Sequence, residues 1–248
     1  NICLFFFLLI RAFSETHTDK KYLLRTNSVA KIMGREDRKD GVHSGNRVLT
    51  RIYNHGAIGD LSSAFSGVYP IGSGHAYIFE FSPVIAASVV DVNGNRKHII
   101  SDGTIGLTDD SPDGPPWSFE PLPGYANPNQ ENLAMSDNVS SWPESWPNRP
   151  SDWDGEWNGQ YGKYVRADQE SYFVVDDYYN SEFEFWPDEN DLPDSLSEDP
   201  DNHRRGLGIQ LDVRGYQWNH PAAEDILIVT YWITNLGTNV LDCLLYTS

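Results

Sequence analysis

The sequence predicts an all-β protein, an antiparallel sandwich-like architecture with long irregular loops that are rich in Trp and Pro or in acidic residues. Three observations lead to this prediction. Several runs have the two-residue apolar period of a half-buried strand or the β-branched and aromatic composition of a strand. Gly and Asn residues punctuate these runs, as they do between strands. No stretch shows the 3.6-residue apolar period of an amphipathic helix.

The first half of the chain contains three strand-like runs. Residues 47–53 alternate two sets of side chains and end at Asn54-His55-Gly56, a turn signal. Residues 75–81 and 84–92 are rich in aromatic and β-branched side chains, which favours strands. The second of these runs is followed by Asn93-Gly94, whose residue types tolerate the positive φ angles of a tight turn. The run 84–92 and this turn signal therefore predict a β-hairpin whose second strand is formed by residues 97–101.

The second half contains two longer runs. Residues 206–218 alternate apolar and polar side chains, which is typical of an antiparallel strand with one solvated face. Residues 225–235 are almost wholly apolar and predict a central buried strand. Because the connection between the two runs is short, we expect them to pair as antiparallel neighbours.

Charge excludes two classes of function. The chain of 248 residues carries 36 Asp and Glu against 18 Lys and Arg, a net charge of -18. A nucleic-acid-binding protein needs a basic surface to neutralise phosphates, and so does a protein that binds anionic membranes. Aromatic residues make up 13% of the chain, which is too many for an acidic disordered tail. The chain is therefore expected to bury a core and to have no nucleic-acid partner.

The beginning of the chain resembles a secretory leader. Residues 2–10 are all apolar, which is too short for a membrane span but typical of a signal peptide, and small residues follow at 12 and 14. We interpret residues 1–14 as a signal peptide truncated at its start and residues 15–46 as a leader or linker. This predicts a secreted or cell-surface protein with no membrane span in the mature chain.

The end of the chain has a different origin. Residues 243–248 match, codon by codon, the translation of a transposase adapter used to prepare sequencing libraries. We interpret them as an artefact and the chain as a metagenomic fragment, with further domains of the same polypeptide beyond it. The β-rich domain is then expected at 47–242. The cysteines, Cys3 and Cys243, both lie outside it, so it needs no disulfide.

Residues 108–162 form a long Trp- and Pro-rich segment that either belongs to this domain or divides it into two sub-parts. Sugar rings stack on flat aromatic faces, which makes Trp153 and Trp157 candidate glycan-binding residues. Aromatic clusters also commonly pack within β cores, and that alternative stays open. Asp168, Glu170, Asp176 and Asp177 flank a predicted strand at 171–175. If the protein is a glycoside hydrolase, two of these carboxylates must face each other across a cleft.

Residues 168–201 contain 13 acidic residues and no Lys or Arg. Such a segment either faces water or binds cations, and calcium prefers carboxylate and amide oxygens at short spacing. The candidate calcium ligands are Asp176, Asp177, Asp188, Asn190 and Asp191. No other cofactor is indicated, and the seven scattered histidines are expected to be surface residues.

Four segments together resemble a group of large, uncharacterised secreted bacterial proteins. They are GNRVLTRIYNHG at 45–56, WDGEWNGQYGKYVRADQESYFVVDD at 153–177, RRGLGIQLDVRGYQW at 204–218 and DILIVTYWITNLGTNVL at 225–241. The resemblance implies a β-rich exoprotein of the kind that commonly ends in a type IX secretion sorting domain, which this chain lacks. Residues 231–241 are also similar to a strand-turn-strand unit of immunoglobulin-like surface repeats. The group has no established activity, so the resemblance implies no catalytic residue.

Two functions follow from these observations. The first is a non-enzymatic structural or interaction module of a larger secreted or cell-surface protein, with a glycan or a cell-surface molecule as partner. The alternative is a glycan-binding module or a glycoside hydrolase that uses Trp platforms and paired carboxylates. The sequence favours the first function because it contains no recognisable catalytic motif.

Overall fold

The computed structural model describes residues 5–13, 37–60, 62–90, 94–104, 117–177, 180, 206–236 and 241–247, and for 5–13 and 242–247 it describes the backbone alone. These residues form eleven strands: β1 Phe5–Phe13, β2 Asp40–His43, β3 Thr50–Tyr53, β4 Val84–Val90, β5 Arg96–Asp102, β6 Glu120–Pro121, β7 Ala134–Met135, β8 Gln169–Asp176, β9 Ile209–Gln217, β10 Ile226–Asn235 and β11 Asp242–Thr247. Short 3-10 helices lie at Val139–Ser141 and Ser151–Trp153.

The strands form three sheets, which confirms the predicted all-β, sandwich-like fold. The main sheet has the order β1-β10-β9-β8-β6, and β7 also pairs with β8. A second sheet has the order β11-β4-β5, and β2 pairs with β3. Every strand pair of these sheets is antiparallel except β1 with β10, which is parallel. No helix in the described part of the chain has the length and hydropathy that a bilayer crossing requires.

The principal core lies between the main sheet and the β4–β5 hairpin. Alternate side chains of the central strands face it, including Phe173 of β8, Val213 of β9 and Tyr231 of β10. Ile85 and Ile99 of the second sheet belong to the same buried cluster. The two-residue period of the strands therefore places one apolar face of each sheet against the other, which is the arrangement of a sandwich.

The two predicted hairpins are confirmed. β9 and β10 pair as antiparallel neighbours, with Val213 opposite Tyr231. β4 and β5 pair from Val84 opposite Asp102 to Val90 opposite Arg96. Gly94 lies between these strands with a φ of 82°, a left-handed conformation that favours glycine, as the Asn-Gly signal predicts.

β8 is buried on both faces, more completely than β10, and β9 is buried except at Asp212, so residues 206–218 lack the solvated face that the sequence predicts. All eight residues of β8 are buried, whereas buried and half-buried residues alternate along most of β10. One face of β8 belongs to the principal core, and Tyr172 and Val174 on the other face lie beneath the Trp-rich segment. The apolar composition of 225–235 does not reveal this difference, because burial of a second face depends on which distant segment covers it.

Two other predicted boundaries change. Residues 75–81 form no regular strand, only single bridges at Ala76 and Phe81. Their partner segment contains Gly67, which has a φ of 63° and leaves room for the side chain of Ile78, so an extended ladder does not form. The predicted leader 15–46 contains β2, so the β-rich part begins no later than Asp40.

The two ends of the chain form strands at the edges of their sheets. β1 pairs with β10, and β11 pairs with β4. The interpretations of residues 1–14 as a signal peptide and of 243–248 as an adapter remain predictions.

Candidate functional site

The Trp-rich segment forms a second buried cluster on the outer face of the main sheet. Its members are Tyr125, Ala134, Trp146, Trp157, Tyr172 and Val174, with Leu122, Trp142 and Trp153 packed against them. The rings of Trp146 and Trp157 meet edge to face, with centroids 5.8 Å apart, a favourable aromatic geometry. The described part of the segment therefore belongs to the β-rich domain and covers its sheet.

The two tryptophans predicted to bind glycans differ in position. Trp157 is only 2% exposed, and its indole Nε1 donates a 2.7 Å hydrogen bond to Oε2 of Glu170, so its ring is not presented to a ligand. Trp153 is half-buried, and the guanidinium carbon of Arg149 lies 4.3 Å from its ring centroid. Burial thus prevents access to the Trp157 ring and reduces access to the Trp153 ring.

A buried polar network fixes the Trp-rich segment to the sheet. The hydroxyl of Tyr172 donates to Oδ1 of Asp212 and accepts from the side-chain amide of Asn148, both at 2.8 Å. Arg214 stacks over the ring of Tyr172 at 3.7 Å and donates to the backbone carbonyl of Asn158. Since the buried members Tyr172, Arg214 and Asn158 each have a partner, the network holds residues 148 and 158 in one position on β8 and β9.

In contrast to the buried aromatic cluster, three residues of this region are exposed: Tyr161, Tyr164 and Arg166. We name this group the tyrosine platform. The side chains of Tyr161 and Tyr164 are 64% and 49% exposed. The guanidinium carbon of Arg166 lies 4.7 Å from the ring centroid of Tyr161 and 5.2 Å from that of Tyr164. Nη2 of Arg166 also donates a 2.7 Å hydrogen bond to the Tyr164 hydroxyl. Two aromatic rings and one cation are therefore presented together at the surface.

Contacts with the sheet hold the tyrosine platform in place. The Tyr216 hydroxyl donates to the side-chain oxygen of Gln160 at 2.9 Å, and the Trp218 indole donates to the backbone carbonyl of Arg166 at 3.1 Å. A Cβ atom at Gly162 would lie only 2.6 Å from Cε1 of Tyr164, so glycine allows this ring to pack on the backbone. Such support reduces the ordering cost of binding a ligand.

The sequence prediction missed Tyr161, Tyr164 and Arg166. One signal for them exists: Lys163 and Arg166 are two of the eight basic residues that follow Asp60, and they stand beside tyrosines in an otherwise strongly acidic region. The prediction chose Trp153 and Trp157 for their flat aromatic faces, whereas exposure, which depends on tertiary packing, decides which ring a ligand can reach.

Two of the four carboxylates considered for glycoside hydrolysis, Glu170 and Asp176, lie too far apart to form a catalytic pair. Glu170 and Asp176 lie near opposite ends of β8, six residue steps apart along the extended strand, so their Cα atoms are separated by about 20 Å. Hydrolysis requires a separation of roughly 5 to 9.5 Å. Glu170 also accepts hydrogen bonds from three N–H groups, those of the Trp157 indole and of the Arg166 and Ala167 backbone. This carboxylate therefore acts as a structural acceptor.

Of the predicted calcium ligands, Asp176 and Asp177 lie in the described part of the chain, and Asp188, Asn190 and Asp191 lie outside it. Asp177 is fully buried, and its carboxylate accepts hydrogen bonds from the Ser101 hydroxyl and from the backbone N–H groups of Leu207 and Ile209. Burial raises the pKa of Asp177 to about 6. No group of three or more His, Cys, Asp or Glu in the described residues is placed to hold a metal ion, and the calcium site remains a prediction.

Two histidines are buried, in contrast to the surface positions that we expected for all seven. Nε2 of His43 lies 2.9 Å from the Ser171 hydroxyl, and Nδ1 of His55 lies 3.0 Å from the Gly103 carbonyl. Burial lowers the pKa of His43 to about 4 and that of His55 to about 3. His43 and Ser171 are both fully buried. A substrate therefore cannot reach this Ser–His pair, and we assign it a structural role.

A cavity of about 720 Å³ lies elsewhere, lined by residues that include Arg38, Tyr125, Asn127, Gln130 and Phe173. Its basic groups are engaged within the protein. Arg38 forms a two-pronged ion pair with Glu120 at 2.8 and 2.9 Å, and the Lys39 ammonium donates to the Gln130 carbonyl. The cavity therefore offers a ligand fewer uncommitted cationic groups than the tyrosine platform does.

Comparison with known proteins adds no assignment: no family model, no curated protein and no solved structure matches this chain.

Proposed function

We propose that the chain is a non-enzymatic binding module of a secreted or cell-surface protein, and that the tyrosine platform is its glycan-binding surface. The observation that carries this proposal is the exposure of two tyrosine rings on a loop that the sheet holds in position. Aromatic rings offer flat apolar faces to the C–H groups of a sugar, while Arg166 and the tyrosine hydroxyls supply hydrogen bonds.

Two features support a binding role over a catalytic one. Glu170 of β8 and Asp177, which follows this strand, are buried carboxylates. Each accepts a hydrogen bond from the backbone of a neighbouring loop and so holds that loop in place. A binding module needs only a preformed surface, and the surroundings of Tyr161 and Tyr164 provide one.

A glycan array tests the proposal. We expect wild-type protein to bind a subset of polysaccharides and the Tyr161→Ala/Tyr164→Ala double variant to lose that binding while it keeps its melting temperature. Phe79→Ala is the matched control, since Phe79 is 72% exposed and belongs to a different loop. Retention of binding in the double variant would refute the proposed surface, and release of reducing sugar from a bound glycan would refute the non-enzymatic role.

A further inference from the structure

The tyrosine platform carries a cation in a protein whose net charge is -18. Arg166 is exposed, and its guanidinium forms no ion pair with a carboxylate in the described part of the chain, where its one hydrogen-bond acceptor is the Tyr164 hydroxyl. Most of the N–H groups of this guanidinium are therefore available to a ligand.

The other basic groups near this loop are already engaged. The ammonium of Lys163 lies 2.7 Å from Oδ2 of Asp152 in an ion pair. Arg149 donates to the side-chain oxygen of Asn158 and stacks on the Trp153 ring. Arg166 is thus the basic group of this region that is placed to contact an anion.

The position of Arg166 relative to the rings specifies the kind of anion. A guanidinium binds carboxylate or sulfate oxygens through two parallel N–H groups, and the contacts of Arg166 with both tyrosine rings and with the Tyr164 hydroxyl restrict its position. A ligand that places a sugar face on a tyrosine ring and an anionic group on Arg166 satisfies both features together. The remaining negative charge of the protein opposes any polyanion that lacks this local contact.

We propose that the tyrosine platform binds an acidic glycan, in which a carboxylate or a sulfate group on the sugar pairs with Arg166. This inference rests on the proposed function, because it concerns the same surface and adds the charge of the ligand.

The test compares polymers that differ in charge. Polygalacturonate supplies carboxylates and highly methyl-esterified pectin is its neutral counterpart, while dextran sulfate and dextran form the corresponding pair for sulfate. In 0.15 M salt, where the field of distant charges is largely screened, we expect wild-type protein to retain at least one acidic polymer and to bind its neutral counterpart about tenfold more weakly.

Three variants separate the roles of the residues. Arg166→Gln is expected to weaken binding of the acidic polymer by about tenfold, and Arg166→Lys is expected to restore part of it, since it keeps the charge but loses the planar fork. Lys97→Gln makes the same change in net charge at an exposed position of β5 and is expected to have no effect. Asn129→Ala, at the cavity of about 720 Å³, is expected to have none either.

The outcomes distinguish this inference from the proposed function. Equal binding of acidic and neutral polymers, with loss in the Tyr161→Ala/Tyr164→Ala double variant, would overturn the acidic preference and leave the glycan-binding surface intact. Absence of tyrosine-dependent binding to all four polymers would also overturn the acidic preference, and the glycan array would then decide the proposed function. Loss of binding in Asn129→Ala alone would place the ligand in the cavity and overturn both.

Discussion

The indole nitrogen of Trp157 lies 2.7 Å from Oε2 of Glu170, and this hydrogen bond links the Trp-rich segment to β8 of the main sheet. The same carboxylate accepts from the backbone N–H groups of Arg166 and Ala167, next to the tyrosine platform. A buried contact therefore supports the geometry of an exposed surface.

The first prediction concerns the replacement of Trp157. Trp157→Phe keeps an aromatic ring but leaves Oε2 of Glu170 without its indole donor, so we expect the free energy of unfolding to fall by about 1 to 3 kcal/mol. Trp157→Ala also removes most of the buried ring and is expected to cost about 3 to 5 kcal/mol. Urea unfolding measures both values. Equal stability of the two variants would contradict the role that we assign to ring packing.

The second prediction concerns Asp177, whose carboxylate accepts hydrogen bonds from three donors of the protein. In Asp177→Asn, the amide nitrogen faces at least one N–H donor, because an amide group has only one acceptor oxygen. We expect a loss of about 1 to 3 kcal/mol at neutral pH, measured by urea unfolding. Glu144→Gln, at an exposed position, serves as the control and is expected to change stability by less than about 0.5 kcal/mol.

The third prediction is the pH dependence of stability. His43 is neutral when folded because its pKa is lowered to about 4, so its contribution is present above pH 6.5 and is lost as the pH falls towards 4. The raised pKa of Asp177, about 6, acts in the opposite direction, since its contribution is present below pH 3.8 and is lost as the pH rises through 6. The two slopes oppose each other between pH 4 and 6.

Single variants separate these two effects. Asp177→Asn removes the group whose contribution grows as the pH falls, so its stability is expected to drop more steeply below pH 6 than that of the wild type. His43→Gln is expected to drop less steeply over the same range. Urea midpoints measured at intervals between pH 4 and 7.5 give the slopes. Parallel curves for the three proteins would show that neither group controls the acid response.

The fourth prediction concerns calcium. If the acidic segment binds calcium in the folded protein alone, the ion raises stability by about 2.7 kcal/mol when its concentration is a hundred times the dissociation constant. We expect the melting temperature to rise with calcium relative to a chelator at fixed ionic strength, and the Asp188→Asn/Asp191→Asn variant to lose this response. Melting temperatures that do not respond to calcium would identify the segment as a solvated acidic loop.

The strands of the principal core could be predicted from the sequence, and the functional surface could not. The alternation in β9 identifies the residues that face the principal core, Leu211 and Val213, but not the burial of its polar face, where Arg214 is buried and Asp212 is half-buried. The β4–β5 hairpin is predicted by Asn93-Gly94, which is a local turn signal. These features depend on neighbours in the chain, which a sequence reveals.

Exposure of the aromatic residues depends instead on contacts between distant segments. Trp157 and Tyr161 belong to the same short polar stretch, yet the first belongs to the buried cluster that contains Tyr172 and Val174, and the second is exposed. Composition does not distinguish them, because the difference arises when residues 117–168 fold over the sheet. The same explanation applies to β8, whose second buried face needs the cover of this segment.

The position of β8 between two buried clusters has a consequence for how the protein opens. Its backbone amides are bonded to strands on both sides, and its side chains contribute alternately to the two clusters. Loosening either cluster would uncover one face of this strand and weaken the support of the other. Hydrogen exchange at residues 172–175 should therefore require opening of the whole β-rich domain, with the free energy of global unfolding as its limit. The layer of tryptophans is, in this sense, as much a part of the folding unit as the sandwich that it covers.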